Sequence, residues 1–419
     1  MRIQLVTVGT TGSVAPYTGL AHRLLADGHQ VELATHAAFE PLVACCGLRL
    51  KPLAADPFAE LIAAHAERPR GLGGLRAAGA LATATSRAAL ALVDDLLDAV
   101  DPAADLVLLS TLAAPVGALG AAARGVPSAG VFLQPDTPTR EFGPCTLPWR
   151  PAGRGNRSRA RAANGLLDAM HRSAVRAARH RLGLPPRGAH QLRADRERSR
   201  WPIHHGISPS VLPRPADWRP GLSVDGYWWP HECPHWRPPA ALTDFLAAGP
   251  PPVLIGFGSM MPGDPERLGR LAVRAVRRAG LRGIIQSGWA GLSGEGEHTG
   301  GSDDILTVGA LPHSWLLPRT AAVVHHAGAG TTAATLRAGV PSVPVPVFTD
   351  QPWWAARLVQ LGTAVGVLPF DHLTADRLAD ALRRTVGAPA PTRSARALAA
   401  RLAREDGAGA VARAVVRRA

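Results

Sequence analysis

The stretch Val323–Gly362, VVHHAGAGTTAATLRAGVPSVPVPVFTDQPWWAARLVQLG, contains a full strand–turn–helix–strand–helix pattern. Apolar residues lead into two histidines, a turn of small residues follows, and Thr-Thr opens a helix-like segment. Glycines let a backbone approach a ligand closely, and free N–H groups at a helix start attract anions. The first half therefore predicts a phosphate-binding turn. In the second half, Asp-Gln follows the predicted strand. The carboxylate and amide side chains of this pair can bind neighbouring hydroxyl groups through paired hydrogen bonds.

The same alternation of strands and helices runs through most of the chain. It begins at RIQLVTV, residues 2–8, and restarts at PVLIGFGS, residues 252–259. Alternating strands and helices form parallel sheets covered on both faces, and 419 residues exceed one core of usual size. We therefore predict an α/β fold of two tandem doubly wound Rossmann-like domains that face each other across a cleft.

The predicted boundaries follow breaks in this alternation. Residues 55–100 read as helical, and residues 136–200 read as a long insertion followed by helices. A segment dense in Pro and Trp then separates the two alternating regions. We predict an N-terminal domain at 1–215, an interdomain linker at 216–238, a C-terminal domain at 239–392, and a final helix at the domain junction at 393–419.

Composition limits the classes of protein that this chain can represent. Hydrophobic residues make up 46% and charged residues 19%, as in soluble globular proteins. The first residues lack the features of a signal peptide and no apolar run reaches membrane-spanning length, so we expect a cytoplasmic protein without an integral membrane segment. The net charge is +14, but the basic segments 154–161 and 172–200 contain no aromatic residues to stack bases. We expect no nucleic-acid partner.

The four cysteines form no C-x-x-C pair, so we expect reduced thiols and no disulfide framework. The cluster PHECPHW, residues 230–236, lacks an evident fourth ligand for a metal. The chain also contains no D-x-D triplet, which argues against a sugar-nucleotide site built on Mg²⁺ or Mn²⁺. We expect no cofactor and no metal.

Polar or small residues follow three of the predicted strands of the C-terminal domain. Gly258 and Ser259 follow the first, His326 ends the second, and Asp350 and Gln351 follow the third. Ligands bind beyond the carboxyl ends of such strands. Turns of this kind also serve plain packing, but three strand ends that converge on one cleft favour a ligand site. A phosphate-binding turn beside a group that binds sugar hydroxyls predicts a nucleotide sugar as partner.

With these motifs, and with the opening VTVGTTGSVAPYTGLAHRLLADGHQVELATH and the segment QSGWAGL, the chain resembles family 1 glycosyltransferases of the GT-B fold. The bacterial natural-product and sterol glucosyltransferase branches are the most similar, and the resemblance covers nearly the whole chain. It implies inverting transfer of a hexose from a UDP- or dTDP-sugar, bound by the C-terminal domain. The acceptor would be a hydrophobic small molecule, such as a natural-product aglycone or a sterol, bound by the N-terminal domain.

The resemblance implies a role for each residue of the donor site. Sugar hydroxyls would bind Asp350 and Gln351. The nucleoside would lie near Trp289, the Leu311 backbone and His313. Plant members carry a Trp at Ala310 and a ribose-binding Glu at Ala334, and their absence leaves both UDP and dTDP open. The groups implied for the diphosphate are His326, Gly328, Gly330, Thr331, Gly258 and Ser259.

The general base is where the chain departs from the family. Members carry a catalytic His or Asp in the first Gly turn, and this chain has Ser13 there. A serine cannot take the acceptor proton unaided. Asp136, which follows a predicted strand, is the substitute candidate, although that position suits an Asx turn before Thr137 equally well. His22 and His36 are weaker candidates.

Two alternative functions remain open from the sequence. The first is a donor-binding homologue without transferase activity, suggested by Ser13, and the second is a nucleotide-sugar epimerase. A dinucleotide oxidoreductase is disfavoured because the turn GTTGSVAP, residues 9–16, lacks G-x-G-x-x-G spacing. The sequence says nothing about the oligomeric state.

Overall fold

Two parallel β-sheets organise the protein, as seen in a computed structural model that describes residues 1–57, 74–146, 153–258, 264–287, 304–347 and 349–417. Each sheet is flanked by helices, which confirms the predicted fold class. Within the described residues, no helix combines the length and hydrophobicity needed to cross a bilayer.

The first sheet has seven strands in the order β3-β2-β1-β4-β5-β6-β7, and every neighbouring pair is parallel. Its order reverses between β1 and β4, the kind of point at which α/β sheets bind ligands. Its strands are β1 (Arg2–Val6), β2 (Gln30–His36), β3 (Arg49–Leu53), β4 (Leu106–Leu109), β5 (Ser128–Phe132), β6 (Ile203–His205) and β7 (Leu222–Val224).

The second sheet has five parallel strands in the order β10-β9-β8-β11-β12. Its order reverses between β8 and β11, so the turn at the end of β11 lies at the corresponding point. Its strands are β8 (Val253–Gly256), β9 (Gly283–Gln286), β10 (Ile305–Val308), β11 (Ala322–His325) and β12 (Ser342–Pro344).

The described residues form sixteen α-helices, of which nine precede β8 in the chain and seven follow it. The first eight are α1 (Thr11–Ala26), α2 (Glu40–Cys45), α3 (Gly74–Ala91), α4 (Val93–Ala99), α5 (Ala114–Ala123), α6 (Asn156–Met170), α7 (Arg172–Arg181) and α8 (Ala189–Arg198). The others are α9 (Ala240–Ala247), α10 (Pro265–Ala279), α11 (His313–Leu316), α12 (Ala329–Ala338), α13 (Gln351–Gln360), α14 (Ala375–Gly387), α15 (Pro389–Leu402) and α16 (Gly407–Val416).

Buried apolar residues cover both faces of each sheet. On one face of the first sheet, Leu5 and Leu33 pack with Leu20 of α1 and Val411 of α16. On one face of the second, Val324 packs with helices α10 and α14. Because strands buried on both faces are nearly continuous apolar runs, the sequence could indicate them directly.

Several elements differ from their predicted extents. Helix α1 starts at Thr11, so the predicted Gly turn is short and Gly12 already lies in the helix. Strand β7 lies inside the segment predicted as a linker at 216–238 and completes the first sheet. The single C-terminal helix predicted at 393–419 is wrong, because α15 and α16 are separate helices. The rest of the predicted domain boundaries stay predictions.

The prediction of four reduced cysteines is wrong. Cys45, at the end of α2, and Cys233, after β7, form a disulfide across a sequence separation of 188 residues. The segment of Cys233 also contacts α1, because the His231 N–H donates to Thr18 Oγ1 at 3.0 Å and the His22 and His231 rings stack with their centroids 3.4 Å apart. Cys46 and Cys145 are free and buried.

The disulfide predicts a thiol count and a stability change. Denatured, unreduced protein should react at two thiols, and full reduction should expose four. A bridge that closes so long a loop restricts the unfolded chain, so Cys45→Ser should lower the free energy of unfolding by about 2–4 kcal/mol. Thermal unfolding with and without reductant checks this, since reductant should lower the wild-type midpoint and leave that of Cys45→Ser unchanged. Four reactive thiols in unreduced protein would contradict the pairing.

Candidate active site

The two domains meet where the first turns of α1 and α12 approach each other. A Cβ placed on Gly330, in the first turn of α12, would lie 3.4 Å from the carbonyl oxygen of Gly12 in the first turn of α1. The first N–H groups of a helix have no acceptor within the helix, and each N-terminus carries about half a positive charge. Two helix starts therefore give one interdomain cleft a positive potential that suits an anion.

His326 lies at this cleft between two glycines. A Cβ on Gly328 would come within 2.4 Å of His326 Nε2, and one on Gly258 would lie 3.1 Å from its Cε1. Gly258 also has a φ of +65°, a conformation that favours glycine. These two glycines therefore provide the space that the imidazole occupies. The structure places Gly258 and Gly328 against His326, with Gly330 and Thr331 in the first turn of α12, and diphosphate binding by these residues stays a prediction.

The His326 ring is neutral in the free protein. Burial, with the nearby His313 of α11, lowers its pKa to about 4. Its Nδ1 atom is buried without a hydrogen-bond partner among the described residues. Such an atom is costly unless a ligand pairs with it. His313, predicted near the nucleoside, does lie close to His326, and burial lowers the pKa of His313 as well.

Asp350 precedes α13 and lies in the same cleft. Its two oxygens accept hydrogen bonds from Thr349 Oγ1 and Trp354 Nε1, each at 3.1 Å. Gln351 is buried, and its Oε1 accepts from the Val347 N–H at 2.8 Å, which stabilises the turn. The carboxylate of Asp350 is therefore fixed in direction, whereas sugar binding by Gln351 stays a prediction.

Asp136 follows β5 and faces the cleft from the N-terminal domain. Its Oδ1 accepts a hydrogen bond from the Cys145 thiol at 2.7 Å, and its backbone carbonyl accepts from Asn164 Nδ2 at 3.4 Å. No backbone N–H of the described residues donates to the carboxylate, so the Asx turn weighed from the sequence is absent. Burial raises the pKa of Asp136, opposed by the Cys145 hydrogen bond and the charge of Arg193.

The carboxylates of Asp136 and Asp350 interact across the cleft. Burial raises the pKa of Asp350 to about 6, and the charge of Asp136 contributes in the same direction. Like charges in a site of low polarity disfavour ionisation of both groups. One carboxylate from each domain thus lies close to the other where the two domains meet. The sequence did not indicate Cys145, because a lone cysteine in an irregular loop has no distinctive pattern.

The other candidates for a general base do not fit that role. Ser13 lies in the first turn of α1, where its carbonyl accepts from Thr7 Oγ1, and no His or carboxylate of the described residues bonds its hydroxyl. His36 is bonded at both ring nitrogens, to the Gly9 N–H and to the Ala55 carbonyl. His22 bonds the Cys46 carbonyl, far along α1. Asp136 is therefore the candidate that the structure favours.

Two non-glycine residues at these strand ends have left-handed backbones. Ala327 has a φ of +62° and Thr349 a φ of +53°. This conformation costs about 1–2 kcal/mol for an L-residue, and such strain concentrates at functional sites. Ser259 and Trp289, both predicted at the donor site, lie outside the described residues. Leu311 is half-buried before α11, next to His313.

Among the residues that the structure describes, no group of three or more His, Cys, Asp or Glu side chains is arranged to hold a metal ion. The cleft presents two helix N-termini, a neutral histidine and two buried carboxylates. This set suits a diphosphate ester and a sugar whose hydroxyl groups need acceptors.

Family models match both halves of the chain. Residues 3–102 match the glycosyltransferase family 28 N-terminal domain, and residues 297–417 match the C-terminal domain of erythromycin biosynthesis protein CIII-like proteins. An O-mycaminosyltylonolide 6-deoxyallosyltransferase of Streptomyces fradiae is 37% identical over 97% of this chain and 95% of its own length. The chain belongs to the GT-B glycosyltransferases.

A curated plant relative is longer than this chain. A sterol 3-beta-glucosyltransferase of Arabidopsis thaliana is 35% identical over 98% of this chain, and the match spans 64% of the plant protein. Among solved structures, the glycosyltransferase of kitacinnamycin matches with a TM-score of 0.71 at 21% identity, covering 99% of this chain and 98% of its own. The glycosyltransferase VinC, in complex with dTDP, matches with a TM-score of 0.68 at 21% identity, and the match covers 100% of this chain and 99% of VinC. These two structures confirm the fold.

The raised pKa of Asp350 predicts a pH-dependent stability difference. An ordinary Asp has a pKa near 3.9, so the folded protein holds this proton up to about pH 6 and stability falls as pH rises between about 4 and 6. Asp350→Asn removes the buried charge and keeps an acceptor for Trp354. Its melting midpoint should exceed that of the wild type at pH 7.5 and match it at pH 4.

Melting curves measured across pH 4–8 check this prediction. Asp371→Asn, which removes an exposed carboxylate of the same domain, is the matched control and should show no such pH trend. An Asp350→Asn midpoint that stays at or below the wild-type midpoint at pH 7.5 would show that the carboxylate is not destabilised by burial.

Proposed function

We propose that this glycosyltransferase is metal-independent and inverting, and that it moves a hexose from UDP- or dTDP-hexose to a hydroxyl group of a hydrophobic small molecule. The observation that carries the proposal is the placement of one carboxylate from each domain at the cleft that also contains the His326 turn. The donor would lie against the C-terminal domain and the acceptor against the N-terminal domain.

Inversion follows from where the base and the leaving group would lie. Asp136 belongs to the N-terminal domain, and the predicted diphosphate site belongs to α12 of the C-terminal domain. The base would take the acceptor proton as the acceptor oxygen attacks the anomeric carbon. The bond from that carbon to the diphosphate oxygen breaks on the opposite side, so one displacement inverts the configuration.

The environment of Asp136 suits a general base. Burial raises its pKa toward the working pH, which strengthens it as a proton acceptor. The Cys145 thiol donates a hydrogen bond to Oδ1 of Asp136, whereas Oδ2 has no hydrogen-bond partner among the described residues. We assign Oδ2 as the atom that accepts the proton. Ser13, on the neighbouring helix start, would orient the acceptor rather than deprotonate it.

The leaving diphosphate would be neutralised without a metal. The N–H groups at the start of α12, the Thr331 hydroxyl and the His326 imidazole supply donors. Preorganised donors in a site shielded from water stabilise charge as it develops in the transition state. Asp350 would accept hydrogen bonds from the sugar hydroxyls, with its direction fixed by Trp354.

The names of the relatives support two acceptor classes, a sterol and a macrolide such as O-mycaminosyltylonolide. We propose that the protein acts in the cytoplasm, and the direct test of its function is product formation across sterols and macrolide aglycones with UDP- and dTDP-hexoses. The proposal expects a glycoside of inverted anomeric configuration. Donor binding without any product would favour the non-transferase alternative, and donor conversion without acceptor would favour the epimerase.

Nucleotide binding should not need a metal. Because His326 and helix N–H groups form the proposed diphosphate site, UDP or dTDP should raise the melting midpoint equally in EDTA and in Mg²⁺. Thermal shift titrations measure this directly. Stabilisation that appears only with added Mg²⁺ would contradict the metal-free site.

Asp350→Ala should weaken binding of the sugar nucleotide far more than binding of the bare diphosphate. The carboxylate should contact sugar hydroxyls, which UDP and dTDP lack at that place. Loss of a charged acceptor costs about 1.5–3 kcal/mol, and calorimetric titration with each ligand measures the difference. Asp371→Ala serves as the exposed control. Equal losses for both ligands would give Asp350 a structural role only.

Asp136→Asn should lower kcat by about 10²–10⁴-fold on an alcohol acceptor, with little change in donor affinity, because a positioned base contributes that much. Asp94→Asn removes an exposed carboxylate of the same domain and should leave kcat unchanged. Ser13→Asp places a carboxylate at the family position and should restore part of the rate to Asp136→Asn. Full activity of Asp136→Asn would remove Asp136 from the mechanism.

A further inference from the structure

His325 has a different environment from the neighbouring His326. It is fully buried as the last residue of β11. Strand side chains alternate between faces, so His325 lies on the same face of the sheet as Val323, which packs with Leu316 of α11. The sequence motif assigned a role to His326 and left His325 without one.

The His325 ring bonds the backbone of the turn that follows it. Its Nδ1 atom accepts a hydrogen bond from the Ala327 N–H at 3.1 Å. Ala327 is the residue with a left-handed backbone, and its φ of +62° turns the chain from β11 toward the start of α12. Any residue with a side chain resists this conformation, so the hydrogen bond compensates for it at the place where the strain arises.

We propose that His325 is the positioning residue of the donor site. Its Nδ1 holds Ala327 in the left-handed conformation, and this conformation aims His326 and the first N–H groups of α12 at one ligand. The nature of the ligand, a nucleoside diphosphate, rests on the proposed function. The hydrogen bond and its effect on the turn do not depend on that function.

The surroundings of His325 keep its ring in the form that the bond requires. An accepting Nδ1 means a neutral ring with its proton on Nε2. Burial lowers the pKa of His325 to about 3, and the neighbouring His326 and His313 act in the same direction. Its Nε2 atom has no partner among the described residues. Replacing the ring by an apolar side chain therefore removes one hydrogen bond to the protein, the one to Ala327.

The experiment compares variants that separate the acceptor from the ring. His325→Asn places its Oδ1 near the position of Nδ1 and keeps the acceptor, whereas His325→Leu keeps bulk and removes it. Ala327→Gly removes the need for the bond, because glycine adopts positive φ freely. Ala329→Gly changes a helical residue of the same turn and is the matched control for that glycine.

The readout is the Kd for UDP and dTDP, measured by calorimetry. A turn that leaves its binding conformation weakens affinity in proportion to the population lost. His325→Leu should weaken binding by about tenfold, which corresponds to about 1.4 kcal/mol, and His325→Asn by about twofold or less. Adding Ala327→Gly to His325→Leu should recover most of the affinity, and adding Ala329→Gly should not. The proposal would be overturned if His325→Leu bound the nucleotides as tightly as the wild type. It would also be overturned if Ala327→Gly and Ala329→Gly restored the affinity of His325→Leu to the same extent.

A second measurement decides the matter without any nucleotide. Amide exchange at Ala327 should be slow in the wild type and in His325→Asn, and about tenfold faster in His325→Leu. The ¹⁵N shifts of His325 should report an unprotonated Nδ1 at pH 7. Equal exchange in all three proteins would overturn the proposal even if nucleotide binds. A wild-type protein that binds neither nucleotide, yet shows the exchange pattern, would refute the proposed function and leave the role of His325 in the turn intact.

Discussion

The close approach of two helix starts, at Gly12 and Gly330, is the constraint on which the arrangement of the cleft depends. A Cβ at position 330 would be in van der Waals contact with the backbone of Gly12, so the two helix starts lie side by side. The same contact brings two positive helix ends together, which repel each other. A dianionic group between them would turn that repulsion into attraction. An anion bound between the two helix starts would therefore interact favourably with both domains.

The features predicted correctly from the sequence have local causes. The turn at His326 follows from a strand, small residues and a helix start that are adjacent in the chain, and Asp350 follows from the next strand end. The features that were missed join distant segments. The disulfide links positions 188 residues apart, and β7 is a three-residue strand that depends on pairing with β6. The hydrogen bond from the Cys145 thiol to Asp136 forms in a loop without periodicity, so no spacing rule could indicate it.

The free protein keeps several unfavourable features in one small volume. Ala327 and Thr349 have left-handed backbones, Asp350 is a buried acid with a raised pKa, and His326 has an unpartnered nitrogen. Strained backbone beside a buried acid is typical of a site organised for a ligand rather than for stability alone.

The path of the C-terminal chain bears on how proteins of this fold can be recombined. Helix α15 packs on α12 of the second domain, and α16 then crosses to pack on α1 of the first. Gly407, at the start of α16, contacts the backbone of Gly226 so closely that a Cβ on Gly407 would lie 2.3 Å from the Gly226 carbonyl carbon. The last helix thus belongs structurally to the domain that begins the chain. A chimera that exchanges the first domain between relatives should therefore carry residues 407–417 with it, although they come last in the sequence.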